Sequence, residues 1–384
     1  MLKLNSTAKK LKCFISLLVI LFMQTGQTDA QPSEIPEGLQ ISTVVKHTSV
    51  KNQQNTGTCW SFAATSFIES ELLRKNNISI DLSEMFFVDY AYNKKADYFI
   101  RFMGKNNFNS GGQAHDVMDV VEIYGFVPNE AYTGLTGGIR ELNHEELNSV
   151  LTSYLEAVAK MKQPSENWKI AFNDILNSYL GEIPGTFEYN NTSYSPKEFV
   201  SSLHFNTWDY VEITSFTHHP FYKSIVLEVP DNWSHASYLN VPLESMMKII
   251  DHALSTGYSV CWDGDVSNPG FSHKNGLAIV PLPGANLKDP GFFDRMPEES
   301  EIHTEERQAK FDNYTTTDDH LMHIVGITTD KNGKKFYLIK NSWGRESNSY
   351  EGYLFMSENY MRLNTIAIMV NKKCVPGEIL KIQK

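Results

Sequence analysis

The run Gln53-Gln54-Asn55-Thr56-Gly57-Thr58-Cys59-Trp60-Ser61-Phe62-Ala63-Ala64-Thr65-Ser66-Phe67-Ile68-Glu69-Ser70-Glu71-Leu72-Leu73-Arg74 changes character at its one cysteine. Before Cys59 it is polar and closes on Gly57. After it, Trp60, Ala63, Ala64, Phe67, Ile68 and Leu72 recur at the spacing of a single helical face. This predicts a half-buried helix with Cys59 in its first turn. The first-turn N–H groups lack intrahelical acceptors and lie at the positive end of the helix dipole, so they favour negative charge. Thiols so placed titrate at roughly 3.5–7.5, against about 8.5 for a free cysteine. The local pattern therefore describes a cysteine nucleophile, although a lone cysteine on an apolar helix is ordinarily a core residue.

The rest of the chain bounds what such a nucleophile can serve. At 384 residues, with 41% hydrophobic and 21% charged residues, the chain can bury one large or two moderate domains. Lys3, Lys9, Lys10 and Lys12 precede an apolar run at 14–23, and Thr28-Asp29-Ala30 offers small residues at a cut. That pattern predicts a signal peptide over 1–30, too short in its apolar part to span a bilayer, and a secreted or periplasmic mature chain. Cys13 stands before the apolar run, which argues against lipid attachment. Removing four lysines and Asp29, a net +3, takes the formal charge from −11 to −14, so nucleic acid and anionic membranes are poor partners. The remaining cysteines, Cys59, Cys261 and Cys374, are odd in number. Buried free thiols are expected rather than a Cys261 to Cys374 bridge.

Two segments far downstream complete a set. Asp319-His320-Leu321-Met322-His323-Ile324-Val325-Gly326 carries two histidines, and Lys340-Asn341-Ser342-Trp343-Gly344 follows it. Together with Gln53, six positions before Cys59, these segments resemble the nucleophile region, histidine strand and Asn-Ser-Trp-Gly motif of papain-like cysteine peptidases. The papain signature Cys-Gly-Ser/Ala-Cys-Trp/Tyr corresponds here to Thr56-Gly57-Thr58-Cys59-Trp60. Its first cysteine is missing, which points to the bleomycin hydrolase and aminopeptidase C branch. In the family the histidine stands six residues before a glycine, as His320 does before Gly326 and His323 does not. Strand alternation also puts the two histidines on opposite faces, so only one can meet Cys59, and joint zinc ligation is geometrically poor.

The resemblance implies an α+β fold with a helical half carrying Cys59, an antiparallel β-barrel half carrying His320 and Asn341, and helical insertions. It implies a mature peptidase domain over 31–384 with an insertion at about 140–205. It assigns Cys59 as nucleophile, His320 as proton carrier, Asn341 as the group orienting His320, and Gln53 to the oxyanion hole. Gly111 and Gly112 become the substrate-binding cleft wall, and Trp343 a shield at the same site. No cofactor or metal is required. The partners are peptides, and the family's hexameric cages extend to this chain only weakly. The implied activity is that of an aminopeptidase gated by the C-terminal tail, residues 375–384. A papain-like endopeptidase and a non-catalytic papain-like binding protein remain open.

Local signals fill in the order. About twenty residues separate Gln31 from Gln53, too few for an inhibitory prodomain of about a hundred. Asp81 or Ser83 caps a second helix. Residues 109–113 lead into a helical pattern at 117–124. Residues 141–180 are helical with one polar side, and Ser195-Pro196-Lys197-Glu198 is a capping box with Pro at the first helical position. Strands are expected at 208–217, 224–229, 258–266, 336–340, 353–356 and 366–370, with an amphipathic helix at 242–254. Residues 284–318, rich in Pro, Gly and acidic groups, read as a long exposed excursion. Such insertions account for a Cys-to-His separation of 261 residues, against about 130–150 in papain.

Overall fold

The computed structural model describes residues 30–381, so the signal segment lies, up to residue 29, outside the described residues. The chain runs β1 (Leu39–Val44), α1 (Cys59–Asn76), α2 (Glu84–Arg101), α3 (Ala114–Ile123), α4 (Glu145–Ala159), α5 (Asn167–Leu180), β2 (Phe187–Tyr189), β3 (Thr192–Tyr194) and α6 (Pro196–Ser202). It continues through β4 (Tyr210–Thr214), β5 (Lys223–Val226), β6 (Ser237–Asn240), α7 (Leu243–Ser255), β7 (Val260–Gly264), β8 (Phe271–Ser272), β9 (Leu277–Ala278) and α8 (Thr304–Asp312). β10 (His320–Asp330), β11 (Lys335–Lys340), β12 (Tyr353–Ser357), α9 (Glu358–Asn364), β13 (Thr365–Asn371) and α10 (Gly377–Lys381) complete it.

Helix boundaries follow cap chemistry. Ser83 Oγ accepts the N–H of Phe86 to start α2, and the box of Ser195 with Glu198 starts α6. Asn77, left-handed at φ 54°, ends α1 with its N–H on Leu73 O. α1 itself is not half-buried: every residue from Cys59 to Leu72 is buried. It packs against α2 and α3 on one side and β7 and β10 on the other. Its polar positions meet partners across that seam. Ser66 Oγ lies 2.8 Å from His323 Nδ1, Lys340 Nζ donates to Ser66 Oγ at 2.7 Å, and Glu71 accepts from Asn371 Nδ2 at 3.0 Å.

The large sheet alternates between two cores. Cys261, Leu321 and Met369 face the helical half, whereas Trp262, Met322 and Ile368 face a second apolar cluster with α7, as a two-residue side-chain period requires. Each large apolar side chain so buried contributes about 1.5–3 kcal/mol.

Three expectations need correction. The sheet is open rather than a closed barrel: its order is β5-β6-β4-β13-β7-β10-β11-β12-β9-β8, with β1 on β10. It is not purely antiparallel either, since β4 with β6 and β9 with β12 run parallel. The ends do not pair because β8 has only two residues and β5 carries exposed Lys223 on a mostly exposed strand, both devices that blunt an edge. Residues 284–318 are not simply an exposed excursion, because α8 lies within them and buries Arg307. The Arg307 guanidinium donates to Ser215 O at 2.9 Å and to Arg362 O at 3.0 Å. The tail, through residue 381, packs Ile379 and Leu380 into the α7 cluster.

Candidate active site

Cys59 opens α1 and His320 opens β10, and the packing of that helix on that strand brings both to one cleft of about 410 Å³. Gln53, Gly111, Gly112 and Trp343 line the same cleft. Asn341, just past β11, lies beside it. Asn341 Oδ1 accepts the backbone N–H of Ser342 at 2.8 Å, which fixes the orientation of the amide. His320 Nε2 lies 2.8 Å from that same oxygen, so Nε2 is the protonated nitrogen and Nδ1 is left as the base.

The other end of the amide is tied down as well. Asn341 Nδ2 donates to His273 Nδ1 at 3.3 Å, and His273 Nε2 donates to Ser347 Oγ at 2.7 Å. The Trp343 ring packs against both imidazoles, 4.9 Å from His320 and 4.7 Å from His273 between centroids. His273 had no sequence signal, since it lies in a two-strand excursion far from any motif. His323 is placed elsewhere, against Ser66 in the seam.

Gln53 is half committed: Oε1 accepts Ser342 Oγ at 2.6 Å and Nε2 gives one hydrogen to Thr56 O at 2.7 Å, leaving one amide hydrogen over. Gly111 spends its backbone within the protein. Its N–H donates to Asn109 Oδ1 at 2.9 Å and its carbonyl accepts from Lys95 Nζ. A Cβ there would collide with the Asp231 carboxylate, so this glycine makes room for Asp231. At Gly112 a Cβ would lie 2.9 Å from the Trp60 ring.

Burial pushes the Cys59 thiol up to about 12, opposed by a backbone hydrogen bond at Leu321 and reinforced by Asp231, Asp263 and Asp318. This reverses the direction expected from the helix start alone, because desolvation and three nearby carboxylates outweigh the dipole. Burial lowers His320 to about 4, with the Asn341 bond acting the other way. A thiol and a free imidazole nitrogen on one cleft, with the imidazole held by an amide, are groups that acyl transfer requires.

A family model of the Peptidase C1-like family matches residues 27–384. Aminopeptidase C of Streptococcus thermophilus is 23% identical over 92% of this chain and 86% of its own length. Aminopeptidase G of Lactobacillus delbrueckii subsp. lactis is 26% identical over 87% and 83%, and human bleomycin hydrolase is 24% identical over 87% and 82%. Among solved structures, PepW from Lactobacillus rhamnosis superposes with a TM-score of 0.71 at 19% identity, covering 89% of this chain and 84% of that one. A papain-like fold is thus shared along nearly the whole chain, and the chain belongs to the Peptidase C1-like family of cysteine peptidases.

Proposed function

We propose that this chain is an aminopeptidase that cleaves peptide bonds through Cys59, His320 and Asn341. The observation that carries the reading is the 2.8 Å bond from His320 Nε2 to Asn341 Oδ1, which leaves Nδ1 as a base in the cleft that holds Cys59. Cys59 passes its proton to His320 Nδ1 as sulfur attacks the scissile carbonyl, and the imidazolium then protonates the leaving amine. Asn341 holds the ring through this exchange. The spare Gln53 amide hydrogen and the Cys59 N–H stabilise the oxyanion, each such donor being worth roughly 2.7–4 kcal/mol. Gly111 and Gly112 form the wall along which the peptide lies, and Trp343 shields the bond between His320 and Asn341 from water. The names of the aminopeptidase relatives support amino-terminal action. The lysine-rich start and apolar run support export before the chain acts.

A second reading, endopeptidase, is favoured by one observation: no residue of 375–381 lines the cleft. Tail gating would therefore fall to residues 382–384. The test uses the chain from Gln31, Cys59→Ala, Asn341→Ala and a truncation after Lys381, each on free-amino and N-blocked fluorogenic peptides. An aminopeptidase cleaves only the free-amino substrate. Cys59→Ala abolishes that cleavage, and Asn341→Ala lowers kcat by about 10- to 100-fold. Cleavage of the blocked peptide by the intact chain would establish the endopeptidase, and a gain of that activity on truncation would assign the gate to the tail.

A further inference from the structure

The Asn341 amide meets two imidazoles, and hydrolysis as derived above uses only one of them. At its nitrogen end stands His273, in the turn between β8 and β9. That turn is fastened to β12 and to the loop before it. Asn348 Nδ2 donates to His273 O at 2.9 Å, and the N–H of Phe355 donates to Gly276 O at 2.8 Å. At Gly276, where φ is 63°, a Cβ would overlap the Tyr350 ring. The backbone of the turn therefore holds the second imidazole against Asn341.

One carbonyl fixes the sense of every bond that follows. Gly344 O can only accept, so the Ser347 hydroxyl spends its hydrogen there at 2.6 Å. Ser347 Oγ must then accept from His273 Nε2, 2.7 Å away, which leaves His273 Nδ1 bare. Burial, with His320 acting the same way, lowers His273 to about 4, so the ring is neutral near pH 7. Its Nδ1 accepts Asn341 Nδ2–H at 3.3 Å, and Asn341 Oδ1 accepts His320 Nε2–H at 2.8 Å. Four bonds thus run in one sense from His320 to Gly344 O. Bonds aligned head to tail polarise one another, and an amide or an imidazole passes the polarisation on by accepting at one atom and donating from another. With its proton on Nδ1 instead, His273 would set two donors face to face.

Resting on the peptidase reading of this site, we propose that His273 is a positioning residue for hydrolysis: it holds and polarises the Asn341 amide, so that His320 keeps its proton on Nε2 and bears charge more readily as Cys59 attacks. Ser342 N–H also holds Asn341 Oδ1, so the orientation of the amide alone would survive the loss of His273. The pull on the amide nitrogen would not, and Asn341, 2% exposed, would keep an N–H without this acceptor. His273 does not line the cleft, so its effect belongs to the step that forms the imidazolium and not to substrate binding.

Kinetics and spectroscopy test this together. On the free-amino fluorogenic peptide, His273→Leu should lower kcat about 10-fold and leave KM within about 2-fold of wild type. His273→Asn puts an oxygen where Nδ1 stood and should recover most of that loss. Ser347→Ala frees the His273 tautomer and should lower kcat about 3-fold. Equal impairment by His273→Leu and His273→Asn, or an unchanged kcat in His273→Leu, overturns the proposal. Should His273→Leu not fold, an unchanged kcat in Ser347→Ala overturns it alone. Long-range proton–nitrogen correlation spectra of the histidine-labelled chain read both tautomers without turnover. Near pH 7 each ring should be neutral with its proton on Nε2, and a proton on His273 Nδ1 overturns the proposal whatever the kinetics. If the intact chain cleaves nothing while both rings show that tautomer and the His320 signals move on His273→Leu, the hydrolytic reading falls and the positioning role stands.

Discussion

Cys59 and His320 rest uncharged at neutral pH, the thiol pushed up to about 12 and the imidazole down to about 4 by the same burial. Charge therefore develops between them only as the proton moves during attack, in a site where it meets little water. The imidazole can accept that proton above about 4 and loses the capacity as pH falls through that value. Inactivation of the enzyme by iodoacetamide should accordingly stay fast down to about pH 5 and drop steeply near 4. A fall centred near 7 would show that the imidazole is not desolvated as described. At this scale the sequence was legible wherever a motif kept its internal spacing: Gln53, Cys59, His320, Asn341 and Trp343 all reach one site. His273 was not legible, because it reaches Asn341 from the short turn between β8 and β9 and carries no local pattern.

Gly326 shows at the level of elements why a glycine follows His320 at six residues. It sits where the pairing of β10 with β11 shifts register between Ile324 and Gly326, while its other edge pairs with Val44 of β1. A Cβ at this position would press inside van der Waals contact of the backbone oxygen of Thr43. Gly326→Ala should therefore displace β1 and cost about 1–3 kcal/mol by urea denaturation. A neutral result would mean that β1 yields without cost. Helices with their own caps, such as α2 and α6, were readable to within a residue or two at their starts because the signal is local. The path of residues 284–318 was not readable, since what anchors it is Arg307 on carbonyls 55 to 92 positions away. The full burial of α1 was also hidden: Ser66 looks solvent-facing until β10 and β11 supply its partners, and Glu71 until Tyr210 of β4 and Asn371 of β13 do.

Across the whole molecule, buried imidazoles set a liability toward acid. His144, at the head of α4, is 3% exposed and neither ring nitrogen has a partner among the described residues. Burial lowers it to about 4. The unfolded chain, titrating near the ordinary 6.5, binds the proton first, so stability from this group is fully present above 6.5 and is lost as pH falls toward 4. Between pH 7 and pH 5 that loss is about 2 kcal/mol. His144→Phe keeps a ring without the titration, and its unfolding free energy should fall by about 2 kcal/mol less than that of the wild type over this interval. Equal losses would place the acid sensitivity elsewhere.

The helix that presents the nucleophile is buried from Cys59 to Leu72, with α2 and α3 against one flank and β7 and β10 against the other. Loosening this helix as a whole must break its contacts with both halves at once, so its amides should exchange hydrogen together with those of α2, β7 and β10.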